Sequence, residues 1–193
     1  VLELARLANA RRLRYVDAPV TGLPAAAGAG ELTLLVGAGS DDLAAARPLL
    51  DVLANRVLHF GPVGTGTVYK LVVNLIGAVQ IASAAEGMAL AERAGLELKA
   101  VADAIATGQA ASPQVVRNTR RMVEGHFDRD IVFTPVLRLK DIDYALRLAE
   151  SLGIATPFGA AAREMFAKLI ARGAGADHEA RVIEVARTAP RDD

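Results

Sequence analysis

Lys70 and Asn74 stand four residues apart in GTGTVYKLVVN (Gly64–Asn74). They head an apolar stretch, LIGAVQIASAAEGMALAERAG, whose first half carries almost no charge. A spacing of four puts both on one face of a helix. The residues alone leave two readings open. In one, Lys70 extends its head group from the helix start into solvent and Asn74 closes a local hydrogen bond. In the other, the lysine is desolvated. Burial lowers a lysine's pKa toward the range useful for proton transfer, and Asn74 then holds a substrate oxygen or orients the amine.

Two further stretches carry groups able to bind ligands. DAPVTG (Asp17–Gly22), followed by Leu23 and Pro24, is a Gly-containing turn after a strand-like run. Successive backbone N–H groups in such a turn can hold an anion such as a carboxylate, although strands often end this way. In VLRLKDIDYAL (Val136–Leu146), Lys140 precedes Asp141 and Asp143, a pattern that also suits a solvated helix face. His59, His126 and His178 are too dispersed for a metal set, and no HExxH spacing occurs, so no metal site is expected. There is no GxSxG elbow for serine chemistry. GAGSDD (Gly37–Asp42) lacks the spacing of a GxGxxG dinucleotide fingerprint.

The elements that must position these residues fall into two halves. The first alternates helix and strand signals: a helical opening, a short β-type run RLRYVDAPV ended by Asp17 and Pro19, a Gly/Ala-rich loop TGLPAAAGAGE, and the continuous apolar run LTLLVG. A helix capped by Ser40 over SDDLAAARPLLDVLA and a last strand RVLHFG follow, ended by Gly61-Pro62. Beyond it, helices are expected at Thr67–Arg93, Leu98–Ala106, Pro113–Glu124, Pro135–Ser151, Pro157–Ala171 and near His178–Arg187. This predicts an α/β portion over residues 1–62 and an all-helical domain over 63–193. The helix over 67–93 is apolar nearly all round, which predicts burial on every side and a homodimer or homotetramer formed through it. Its Asn74, Gln80, Ser83 and Glu86 argue against a membrane span.

Equal numbers of basic and acidic residues, 22 each, give no basic surplus for nucleic acid or an anionic membrane. With 52% hydrophobic residues the composition is that of a globular protein. Cysteine is absent, so neither disulfides nor thiolate chemistry are available, and a cytoplasmic location is the expectation. No signal peptide is expected before the helical pattern that starts at Val1, and the sequence reads as the later part of a longer protein.

In their order along the chain these pieces resemble the β-hydroxyacid dehydrogenase family, which includes 3-hydroxyisobutyrate dehydrogenase, tartronate semialdehyde reductase and glyoxylate/succinic semialdehyde reductases. Asp17–Gly22 looks like the family's DAPVSGG substrate motif, Leu32–Gly37 like the strand after it, and Gly66–Asn74 like the catalytic GxxxKxxxN. Leu139-Lys140-Asp141 looks like its later KD motif. The resemblance implies the tail of a Rossmann-like domain followed by an all-α C-terminal domain of the 6-phosphogluconate dehydrogenase type. It implies Lys70 as general acid–base, and Thr21, Gly22, Leu23 and Asn74 as substrate contacts. Lys140, Phe133 and Gly66 would lie on the cofactor, NAD or NADP, with a small hydroxyacid or aldehyde as substrate.

The sequence departs from the family pattern at several points. Thr21 replaces the usual Ser, and Leu23 the usual second Gly, which makes the carboxylate turn bulkier. Val73 stands where 6-phosphogluconate dehydrogenases carry His, so that activity is not expected. Imine reductases of the same superfamily usually lack the lysine. No GxGxMG cradle occurs in these 193 residues, so weak dinucleotide binding is expected of this stretch alone. An inactive dimerisation module derived from the family is the other reading, and an imine reductase-like enzyme a further one.

Overall fold

The computed structural model describes residues 1–187. The chain divides into two compact units, Val1–Val73 and Asn74–Asp193. The division falls inside the longest helix, past the Gly61-Pro62 break, because that helix begins in the first unit.

In the first unit, α1 (Leu2–Ala10) and α2 (Pro24–Gly28) flank a two-residue strand β1 (Val20–Thr21). Then come β2 (Thr33–Gly37), α3 (Ser40–Leu53) and β3 (Arg56–Gly61). The sheet order is β1-β2-β3. β1 runs antiparallel to β2, while β2 and β3 are parallel, with α3 as the crossover between them. β2 is buried over Leu34–Gly37, as its uninterrupted apolar run requires of a central strand. Leu34, Val36, Ala38, Leu50 and Ala54 form the core of this unit.

Three sequence expectations differ here. RLRYVDAPV does not form one strand: Asp17 makes an isolated bridge to Gly37, and pairing resumes only at Val20. Pro19 lies between them and, having no N–H, can only accept, which it does from Leu35 N at 2.8 Å. The Gly/Ala-rich loop contains α2, started by Pro24 at its first turn. The N-cap of α3 is Gly39, and Ser40 is already helical, its hydroxyl turned to Asp41.

Among the described residues the second unit is all-helical, and it includes its share of α4 (Thr65–Arg93), which the two units divide. It holds α5 (Leu98–Thr107), α6 (Pro113–Glu124), α7 (Pro135–Ser151), α8 (Pro157–Leu169) and α9 (Ile183–Arg187). The starts are set by local chemistry. Ser112 Oγ and Thr134 Oγ1 accept from the N–H of Val115 and Leu137, each ahead of a proline in the first turn. Glu97 caps α5 through the N–H of Lys99 and Ala100. Past Leu169 the helix widens into one π-turn, Ile170–Ala174, broken where Gly173 takes φ +85°. The last predicted helix is a 3₁₀ turn, Glu179–Val182, leading into α9.

Ala78, Ile81, Ala85 and Met88 form one stripe of α4 and are fully buried, packed with Met122, Ile142, Phe166 and Leu169 of the second unit's core. The opposite stripe is not buried within the chain: Val72, Ile76 and Leu90 are 46%, 52% and 72% exposed. Burial on every side is therefore not reached within one chain. By length and apolar composition alone α4 could cross a membrane, but its stripe Ala78, Ile81, Ala85 and Met88 is packed into the core of the second unit.

Candidate active site

The start of α4 is fixed by a carboxylate from the sheet. Thr67 lies in the first turn, where N–H groups lack intrahelical partners. Its N–H donates to Asp17 Oδ2 at 2.8 Å and its hydroxyl to Asp17 Oδ1 at 2.6 Å. Asp17 is buried, and a carboxylate at a helix N-terminus also meets the positive end of the helix dipole. Gly66 is buried against β2: a Cβ there would lie 2.1 Å from the Leu35 carbonyl oxygen. Gly37 meets the same junction from the other side, its added Cβ 3.0 Å from Gly66 N. The Gly66 and Asp17 positions of the two motifs are thus accounted for by seating the helix that carries Lys70.

Lys70 lies one turn beyond this anchor and is half-buried. Tyr69 beside it stacks on Phe60 of β3, ring centroids 4.1 Å apart. Thr21, Gly22 and Leu23 are exposed at the end of β1. Gly22 takes φ +135°, and an added Cβ would lie 2.8 Å from Leu32 Cδ2, so only glycine suits this turn.

Asn74 is tied to α7. Its Nδ2 donates to Asp141 Oδ2 at 2.8 Å, and Lys140 Nζ lies 3.0 Å from Asp141 Oδ1. The carboxylate oxygen is the acceptor in this bond, so the amide nitrogen of Asn74 faces Asp141. Asn74 Oδ1 is then the end of the amide turned away from that carboxylate oxygen, and it can only accept. Asp141 is nearly buried and connects Asn74 with Lys140, a role the Lys-Asp sequence neighbours do not disclose because Asn74 lies 67 positions away. The only sequence signal was its place in the KD motif.

A second cluster with no local signature lies beside it. Arg138, 3% exposed, contacts Glu179 Oε2 through Nε and Nη2, both at 2.7 Å, and its Nη1 reaches the Asn74 carbonyl at 3.5 Å. The guanidinium also lies 4.5 Å from the Phe133 ring centroid. Glu179, fully buried, accepts from Arg117 as well, at 3.1 Å. Phe133 is held from the backbone side too, since its carbonyl accepts from Glu179 N at 2.9 Å. Among the described residues no group of His, Asp or Glu is placed to hold a metal ion.

For a nicotinamide cofactor the fit differs among the three residues named from sequence. Lys140 is half-exposed at a recess of about 350 Å³ that it lines with Leu139, Tyr144 and Arg147, and it fits an anionic or polar ligand group. Phe133 is half-buried on Arg138 and can form a wall. The space over Gly66 is filled by Leu35.

Two family models cover the chain. Residues 64–186 match the NAD-binding domain of NADP-dependent 3-hydroxyisobutyrate dehydrogenase, and residues 1–61 the NAD-binding domain of 6-phosphogluconate dehydrogenase. The chain is 33% identical over 175 residues to an NAD-dependent L-serine dehydrogenase of Pseudomonas aeruginosa, covering 86% of this chain and 57% of that protein. It is 32% identical over 185 residues to a probable 3-hydroxyisobutyrate dehydrogenase of Mycobacterium bovis, covering 92% and 62%. The structure of Mycobacterium tuberculosis 3-hydroxyisobutyrate dehydrogenase with L-serine superposes with a TM-score of 0.86 at 28% identity, over 97% of this chain and 66% of that one. The chain belongs to the β-hydroxyacid dehydrogenase family, a family of NAD(P)-dependent oxidoreductases. Its fold is a Rossmann tail followed by the family's all-α domain. It spans about three-fifths of the length of these two curated relatives.

Proposed function

We propose that the protein is an NAD(P)-dependent oxidoreductase of a small 3-hydroxy acid or its semialdehyde, with Lys70 as general acid–base. One observation carries this reading: α4 holds Lys70 and, one turn on, an Asn74 whose amide is oriented by Asp141. An interface helix has no need of that arrangement. When bound, a nicotinamide dinucleotide supplies the hydride acceptor in oxidation and the donor in reduction. Lys70 Nζ takes the proton from the substrate hydroxyl in oxidation and returns it to the carbonyl oxygen in reduction. Its positive charge stabilises the alkoxide that develops between the two. Asn74 Oδ1 accepts from a substrate hydroxyl, while the Thr21 hydroxyl and the backbone at Gly22 and Leu23 hold the carboxylate. Lys140 and Phe133 hold the cofactor, and Gly66 acts through the position of α4.

The exposed Val72, Ile76 and Leu90 stripe of α4 supports a homodimer or homotetramer formed through this helix, the common way for a protein to cover such a face. The protein is soluble in this reading and works in the cytoplasm.

The test is turnover of 3-hydroxyisobutyrate, L-serine, L-threonate and their carbonyl counterparts with NAD and NADP, using the protein as isolated from its source, its intact mass measured first. Lys70→Met is expected to abolish turnover while leaving the melting temperature near that of the unmodified protein. Turnover by Lys70→Met at the unmodified rate would sink the assignment. Absence of turnover from an intact protein, with a dimer still formed, would favour an interaction module.

A further inference from the structure

One face of α6 takes no part in this chemistry. Arg117, Arg120, Arg121 and Glu124 line an open recess of about 360 Å³, with Val132 and His178 opposite, a volume in the range of small-molecule sites. Three guanidiniums within two helical turns are neighbours at i, i+3 and i, i+4 and repel one another.

The partners available to them are few. Arg117 Nη2 donates to Gln114 Oε1 at 2.6 Å and Glu179 Oε1 at 3.1 Å, but its buried Nε–H has no partner among the described residues. Arg121, 15% exposed, faces Glu124 at 3.4 Å and donates to the carbonyls of His126 and Asp130. Arg120 makes no hydrogen bond or ion pair among the described residues. Asp103, whose carboxylate feels its charge, is held by Lys99 at 2.7 Å. Glu179 is shared with Arg138. The recess is therefore lined by three guanidiniums, Arg117, Arg120 and Arg121, and one carboxylate, Glu124. His178 Nδ1 accepts from Ala180 N at 3.1 Å, so the neutral ring carries its hydrogen on Nε2 and adds a donor to the wall.

We propose that this recess binds a small oxyanion: a phosphate or carboxylate group on a molecule whose apolar part rests on Val116 and Val132. Guanidiniums provide the forked donors that such groups accept from. Uptake of the anion relieves the repulsion along α6.

The experiment is calorimetric titration of the full chain with inorganic phosphate and, separately, with succinate, at constant ionic strength. Saturable binding of at least one is expected. Arg120→Ser, an exposed position, is expected to weaken it by about tenfold, the loss of one charge-assisted contact, with an unchanged melting temperature. Tighter phosphate marks the phosphate class, and tighter succinate the carboxylate class. No saturable binding of either anion, or equal affinity in Arg120→Ser, would overturn the proposal.

Discussion

Glycine-to-alanine substitutions at two places in α4 should change stability in opposite directions. At Gly66 the new Cβ would lie 2.1 Å from the Leu35 carbonyl oxygen, 2.9 Å from its carbon and 3.0 Å from Gly37 N. All three are backbone atoms, so no side chain can rotate away. The helix start must retreat from β2 by about 1 Å to restore ordinary contact, which stretches the 2.8 Å and 2.6 Å bonds from Thr67 to Asp17. Overpacking costs about 1–3 kcal/mol, and each weakened bond to the buried carboxylate adds about 1 kcal/mol. A destabilisation of roughly 3 kcal/mol is expected. For a chain of this length that lowers the melting temperature by roughly 6–12 °C. At Gly87 an added Cβ meets nothing within 4 Å. There alanine only removes backbone entropy from the unfolded chain, worth about 0.5–1 kcal/mol of stabilisation. Thermal unfolding followed by circular dichroism on both variants measures the difference. Gly66→Ala within 2 °C of Gly87→Ala would refute the packing of α4 on β2 described above.

Asp17→Ala is expected to destabilise by about 3 kcal/mol and Asp17→Asn by less, because asparagine keeps one acceptor for Thr67; equal melting temperatures for the two would disprove the capping role. Combined with Gly66→Ala, Asp17→Ala should cost less than the sum of the two, since both loosen the same contact. Asp141→Leu frees the Asn74 amide and should lower kcat/KM by roughly tenfold to a hundredfold, more through KM than through kcat, in steady-state assays of the active protein. Burial holds the His178 ring below the ordinary histidine pKa, with Arg121 and Arg117 adding to the effect against Glu179 and Glu124. The unfolded chain therefore takes up a proton at a higher pH than the folded one. The contribution to stability is complete above about pH 6.5 and is lost as pH falls through the lower folded value. His178→Asn keeps an acceptor for Ala180 N–H, and its denaturation midpoint should change less between pH 7 and 5 than that of the unmodified protein.

Much of the molecule could be read from its residues because the signals are local. Ser112-Pro113 and Thr134-Pro135 mark helix starts by supplying an acceptor and a preset φ, and both begin helices where expected. LTLLVG reads as a central strand because both its faces are apolar, and β2 is buried accordingly. The order DAPVTG, GxxxKxxxN, LKD disclosed the family, since each motif is a short contiguous string. Gly39 capping α3 in place of Ser40 turned on backbone geometry that propensity does not specify.

Contacts between distant residues were decided by the tertiary structure alone. Asp17 and Thr67 are separated by 50 positions, Asn74 and Asp141 by 67, and Arg138 and Glu179 by 41. No periodicity links such pairs, because each depends on where folding carries two elements. The sequence names Lys70 and places Asn74 one turn from it on the same helix. Which oxygen Asn74 presents, what seats the helix, and which guanidiniums gather beside His178 are set by burial. A buried carboxylate or N–H must find a partner wherever the chain brings one within reach.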